Sequence, residues 1–187
     1  MMNNSRFNPL FLLLLGIVVL FSGCKKEEAA PEDENELITT VQLKFTDETN
    51  VQTFQWRDLD GDGGAAPTIQ NIALKANKTY KLDVAFLDES KTPAVDITEE
   101  VGEESDEHLL VFTPSPAALM TYTYDDKDVN NFPIGLTGSL KTSASGTGTL
   151  QVVLRHQPPV NGMRQKNGTA TPGSTDVDVT FNVTVSN

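Results

Sequence analysis

The chain has 187 residues, with 26 Asp and Glu against 14 Lys and Arg, a formal net charge of −12 and a pI near 4.5. So acidic a chain lacks the basic surface that holds nucleic acid, which leaves no nucleic-acid partner in view. One Cys forms no internal disulfide, one Cys with two His cannot build a Cys-rich zinc site, and the length suits a single domain with one core.

The first element is Leu10–Phe21, LFLLLLGIVVLF, preceded by Arg6 and free of charge. These twelve residues are too few to span a bilayer, which takes about 20. They suit the apolar region of an export signal. The run stops at Phe21-Ser22-Gly23-Cys24, and Lys25-Lys26-Glu27-Glu28 follows at once. Small residues before a Cys at the end of such a run resemble a bacterial lipobox. The resemblance implies a signal peptide over residues 1–23, diacylglycerol on the Cys24 thiol, and a fatty acyl chain such as palmitate on the new amine. An ordinary secretory signal with a chance Cys is the other reading. Two or more acyl chains give stable membrane attachment, at about 0.8 kcal/mol per buried methylene.

Residues 24–36 comprise Cys24 and KKEEAAPEDENE, which carries six acids, two Lys and no aromatic or β-branched residue. Such a segment buries too little apolar surface to offset chain entropy, so it reads as a disordered acidic tether. Lys followed by acids directly after the Cys also resembles the surface-export signal of Bacteroidota lipoproteins. That resemblance implies an anchored domain facing the cell exterior; a generic linker would leave it on the periplasmic face.

From residue 37 to 187 the hydrophobic period is two. Val41, Leu43 and Phe45 alternate with polar residues, as do Phe54 and Trp56, then Tyr80, Leu82, Val84 and Phe86. Met120, Tyr122 and Tyr124 continue the pattern, followed by Leu150, Val152 and Leu154. The cleanest run is Val177, Val179, Phe181, Val183 and Val185, with Asp176, Asp178, Thr180, Asn182 and Thr184 on the opposite face. Weaker strand signals lie at 69–75, 108–113 and 136–142. This predicts an all-β domain of about eight or nine strands, an antiparallel β-sandwich of Ig-like or Greek-key type. A small barrel is the other architecture with this pattern. Residues 96–107, DITEEVGEESDE, hold seven acids in twelve positions and read as a short helix or acidic loop, with Asp96 or Thr98 as cap. Residues 157–174 form a long polar connection of the kind that is often functional or mobile.

Two segments carry candidate chemistry. In Asp58-Leu59-Asp60-Gly61-Asp62-Gly63, alternate Asp residues with Gly at the sixth position suit the opening of a calcium loop. Asp58, Asp60 and Asp62 are the candidate ligands. The twelfth position, where an EF-hand carries Glu, is Ile69. A plain Asp-Gly turn between two strands explains the same residues. The second segment is Asp106-Glu107-His108, read together with His156. Imidazole and carboxylate suit a transition-metal ion. His156 is in phase with Leu150, Val152 and Leu154, so it belongs to the inward face near a strand end. A buried structural histidine and a solvated acidic face are the plainer readings. Enzyme signals are poor: there is no G-x-S-x-G, and the Gly-rich run at 142–148 lacks the Lys of a phosphate loop. No pair of carboxylates stands out as a glycosidase dyad.

The stretches ELITTVQLKF, WRDLDGDGGAAP, DITEEVGEESDEH, GTGTLQVVLRHQP and TDVDVTFNVTV resemble a family of small Bacteroidota outer-membrane lipoproteins. The label "type 1 periplasmic binding fold" often given to that family requires a βαβ alternation that this chain does not show. The resemblance implies an accessory to a TonB-dependent receptor. The expectation is thus a lipid-anchored, non-enzymatic binding module at the outer membrane, taking calcium, a transition-metal ion or a metal-bearing ligand. The alternatives are a structural or adhesive surface lipoprotein and, further off, a surface hydrolase.

Overall fold

The computed structural model describes residues 37–48, 50–61 and 64–187. The signal peptide, Cys24, the tether and Asp62 lie outside these residues. In chain order the elements are β1 (Thr40–Asp47), β2 (Asn50–Arg57), β3 (Thr68–Ile69), β4 (Ile72–Lys75), β5 (Thr79–Asp88), β6 (Val95–Asp96) and α1 (Thr98–Glu103). They continue with β7 (His108–Ser115), a 3-10 turn (Ala117–Leu119), β8 (Met120–Tyr124), β9 (Thr137–Thr142), β10 (Gly146–His156) and β11 (Ser174–Ser186). One sheet has the order β3-β2-β1-β5-β9-β8, with β6 added beside β5, and the other has the order β4-β11-β10-β7. All pairings are antiparallel except β4 with β11. The fold is an all-β sandwich.

The alternation expected from sequence sets the two faces. Val41, Leu43, Phe45, Leu82 and Phe86 line the inner face of one sheet, and Leu150, Val152, Leu154, Val179 and Phe181 that of the other; all are buried. Each such side chain contributes about 1.5–3 kcal/mol by leaving water. Phe45 packs edge-on against Phe54 and Tyr80, with ring centroids 5.8 and 6.1 Å apart.

The described residues hold eleven strands rather than eight or nine. Part of the excess arises where the single run expected at 69–75 divides. Thr68–Ile69 pairs with β2 in one sheet, while Ile72–Lys75 joins β11 in the other, so the chain changes sheets across Gln70 and Asn71. Alternation persists through such a crossing, so the division is invisible to it. The acidic stretch does form a helix, of six residues, but Ile97 is its N-cap residue and no side chain caps it. The Asp96 carboxylate instead accepts the Thr98 N–H at 2.9 Å, and the Thr98 hydroxyl accepts the Phe86 N–H at 2.9 Å, tying the helix start to β5. Val101 anchors the helix in the core.

The outer edge of β7 is covered by the segment between β8 and β9. The Leu110 N–H donates to the Ile134 carbonyl at 2.7 Å, and the Tyr124 hydroxyl donates to the Leu110 carbonyl at 2.8 Å. A covered edge is protected from pairing with another chain. It also brings the 125–136 segment to the end of the sandwich where β7 begins and β10 stops.

Candidate metal centre

His108 opens β7 and His156 closes β10, and the antiparallel register places them directly opposite each other. One step further on, the Gln157 N–H donates to the Glu107 carbonyl at 2.6 Å. Hydrogen-bonded and non-hydrogen-bonded pairs alternate, so the His pair occupies a non-hydrogen-bonded position, where opposing side chains lie closest. The rings stack with centroids 4.6 Å apart and an interplanar angle of 8°. The inward phase of His156 is as expected: its side chain is 14% exposed, and that of His108 only 2%.

The segment after α1 supplies the carboxylates. The Glu107 N–H donates to the Glu104 carbonyl at 2.8 Å, forming a turn that returns Glu104 to His108. The Nδ1 of His108 lies 3.1 Å from that same carbonyl oxygen, which can only accept. Nδ1 therefore carries the proton and Nε2 keeps its lone pair. This is the arrangement that fixes the tautomer of metal-binding histidines. One ligand atom from each of Glu104, His108 and His156 lies within 4.8 Å of the others. Tetrahedral bonds of about 2.0–2.1 Å hold neighbouring donors about 3.4 Å apart, so uptake of an ion would draw these groups together by about 1 Å. Glu107 stands beside the group, with its carboxylate 3.6 Å from His156 Nε2.

The electrostatics suit a cation. Burial, reinforced by neighbouring His156 and Lys166, pushes His108 down to about 4, so its imidazole is neutral at physiological pH. Burial and the charges of Glu107 and Glu100 raise the Glu104 carboxyl above its usual value. A divalent ion would relieve that crowding.

A second polar group holds the surrounding loops. Lys166, in the long connection between β10 and β11, is buried and pairs with Asp128 at 3.0 Å, both side chains being fully enclosed. Its ammonium also donates to the Ser105 carbonyl at 2.7 Å. Asp128 in turn accepts the backbone N–H groups of Asn130 and Phe132 at 2.8 and 2.9 Å. Burial pushes the Asp128 carboxyl up, but Lys166 and these two donors outweigh it and hold the group below its usual value. Three segments are thus joined beside the histidines. The long connection is further held by Gln157, whose amide donates to the Thr169 and Pro172 carbonyls, and by Arg155, which donates to those of Pro172 and Gly173. Gly173 is required there: its φ is +76°, and a Cβ would fall 1.8 Å from the His156 carbonyl oxygen.

Of the residues singled out from sequence, the fold brings His108, His156 and Glu107 together. Asp106 is not part of the clustered ligand set; its charge acts on Lys166 instead. Glu104 takes the place expected for Asp106. No spacing in the sequence marked Glu104: it follows α1 and His108 opens a strand, so the turn closed by the Glu107 N–H on the Glu104 carbonyl brings the two together. Asp58 and Asp60 are engaged locally. The Gly61 N–H donates to Asp58 at 3.1 Å and the Ala65 N–H to Asp60 at 2.8 Å. Both bonds stay within the loop, running three and five residues along the chain. The Ala65 N–H lowers the Asp60 carboxyl below its usual value.

Among the described residues, no helix is long and apolar enough to cross a membrane. No protein-family model, no curated protein and no solved structure matches this chain.

Proposed function

We propose that the protein is a non-enzymatic metal-binding module, lipid-anchored through Cys24 to the outer membrane and facing the cell exterior, where it serves a TonB-dependent receptor as an accessory. The observation that supports the binding role is the convergence of Glu104, His108 and His156. Two imidazoles and a carboxylate suit a borderline first-row ion such as zinc better than calcium, which takes oxygen donors. The Asp58–Asp60 turn is a turn in this reading. The anchor rests on the apolar run ending at Cys24, and the outward orientation on the Lys-Lys-Glu-Glu that follows.

Calorimetry of the purified protein with zinc tests the binding role. Saturable uptake by the native chain, lost in His156→Ala, is the expected result; no heat and no change in melting temperature would end this reading. Membrane fractionation of Cys24→Ser tests the anchor, which predicts release of soluble protein. Protease treatment of intact cells tests the orientation: cleavage of the domain is expected, and protection until the outer membrane is opened would place it inside.

A further inference from the structure

The chain enters the sandwich at the end where the histidines lie. Thr40 opens β1 opposite Leu87 near the end of β5, and residues 134–136 bridge Val84 of β5 to Leu110 near the start of β7. Six of the eight large apolar residues exposed among the described residues lie at this end: Leu37, Leu59, Val95, Val129, Val160 and Met163. Val51 opens β2 at the opposite end, and Ile69 is on the edge strand β3. Val129 and Met163 are the most open, at 85% and 65% exposed. Val160 and Met163 exchange both backbone hydrogen bonds, at 2.9 and 3.0 Å, across Asn161 and Gly162, whose φ values are +54° and +73°. This is an Asn-Gly hairpin turn, and residues paired across it present their side chains to one face. The loop bearing Val129 lies alongside, since the Arg164 guanidinium sits 5.1 Å from the Phe132 ring and Lys166 pairs with Asp128. Apolar side chains held in water on braced loops, all at one end, mark a contact surface.

We infer that this end of the sandwich seats on the bilayer that holds the Cys24 lipid, with Val129, Val160 and Met163 entering the boundary between headgroups and acyl chains. This rests on the lipid-anchor reading proposed above, and it adds which end of the domain meets the membrane. Thirteen residues, 24–36, lead from Cys24 to Leu37. They reach at most about 45 Å when fully extended and about 20 Å as a coil. The thirteen residues of β11 alone run about 44 Å. Turning the far end to the membrane would draw the tether out along the whole sandwich, whereas the near end meets the bilayer without that cost in chain entropy. The anchor keeps the local concentration high, so a few shallow apolar contacts suffice. Glu99, Glu100 and Glu103 are exposed on α1 at the same end and repel anionic headgroups, so the contact is apolar rather than a charge attraction. The same seating brings the metal centre to the membrane side of the domain.

Cysteine variants of the full lipidated chain, reconstituted in phosphatidylcholine vesicles, test the seating. Cys24 is the only Cys, and lipidation consumes its thiol, so Val129→Cys, Met163→Cys and Val51→Cys each take a polarity-sensitive thiol dye at one place. All three positions are exposed, so the variants keep the fold. The dye at 129 and at 163 should shift to the blue, and should lose emission when the lipid acyl chains carry bromine, which quenches only on contact. The dye at 51 should do neither. High salt should leave both signals in place, and their loss in salt would overturn an apolar contact. A dye at 129 and 163 that stays in water on the anchored chain overturns the inference and leaves the anchor intact. A blue shift without quenching by bromine, as a contact with a second protein would give, overturns it too, and so does equal quenching at 51. A native chain that does not associate with the vesicles overturns the anchor reading along with it.

Discussion

The two acidic segments of this protein, the turn at 58–65 and the cluster around His108, look alike in composition and differ in what their side chains do. In the turn, Asp58 and Asp60 accept backbone N–H groups three and five residues ahead, so they close their own loop. In the cluster, groups from α1's exit, β7, β10 and β11 meet across long sequence separations, and imidazole nitrogens face carboxylates. Density of acids therefore does not distinguish a turn from a site. The useful question is whether nearby backbone already engages the carboxylates. Where it does, local geometry accounts for them; where it does not, a distant group or an ion has to.

The largest effect should come from breaking the clamp beside the histidines. Asp128→Ala leaves the buried Lys166 with the Ser105 carbonyl and the charges of Asp126 and Asp106 but no direct ion pair, and should cost about 3–5 kcal/mol in urea unfolding. A loss under about 1 kcal/mol would mean that the pair is solvated and that the His end is held no more firmly than the Asp turn.

Acid should come next. His108 titrates near 4 when folded and near 6.5 when not, so the unfolded chain takes up the proton first. Its contribution is complete above pH 6.5 and is lost as pH falls to 4, about 3 kcal/mol in all. Urea unfolding in chelator at pH 7 and pH 5 should show about 2 kcal/mol of that loss, absent in His108→Gln. An equal pH dependence in the variant would assign the loss to other groups.

Zinc at about 100 times its dissociation constant should stabilise the native chain by about 2.7 kcal/mol, read as a rise in melting temperature. His108→Ala and His156→Ala should show no rise. The smallest effect belongs to the turn: Asp60→Ala should leave the zinc and calcium responses of the melting temperature unchanged. A calcium response that disappears in Asp60→Ala would reverse the comparison and make the turn the site.

Much of the fold was legible in the alternation of apolar residues. Val177 through Val185, Leu150 through Leu154 and Tyr80 through Phe86 all face inward as their spacing predicts, and so does His156. The split of 69–75 between two sheets was not legible, because a strand keeps its period when its partner changes. In the site, the two histidines were visible as residue types, and His156 as an inward position. Their stacking was not, since it depends on which residue of β7 stands opposite which residue of β10.

The sequence by itself determined the strand-rich composition, the buried faces and the acidic segments, along with the apolar run that ends at Cys24. Each of these is a property of neighbouring residues, set by the two-residue repeat of extended chain or by local composition. Only the tertiary structure decided that Glu104 and not Asp106 meets the histidines, that Lys166 lies buried on Asp128, and that Asp176 turns inward. Each of those outcomes depends on where loops close and on a one-residue shift between β10 and β11. Such a shift moves a side chain from one face of a sheet to the other, and the pairing of distant strands, which no local pattern encodes, is what sets it.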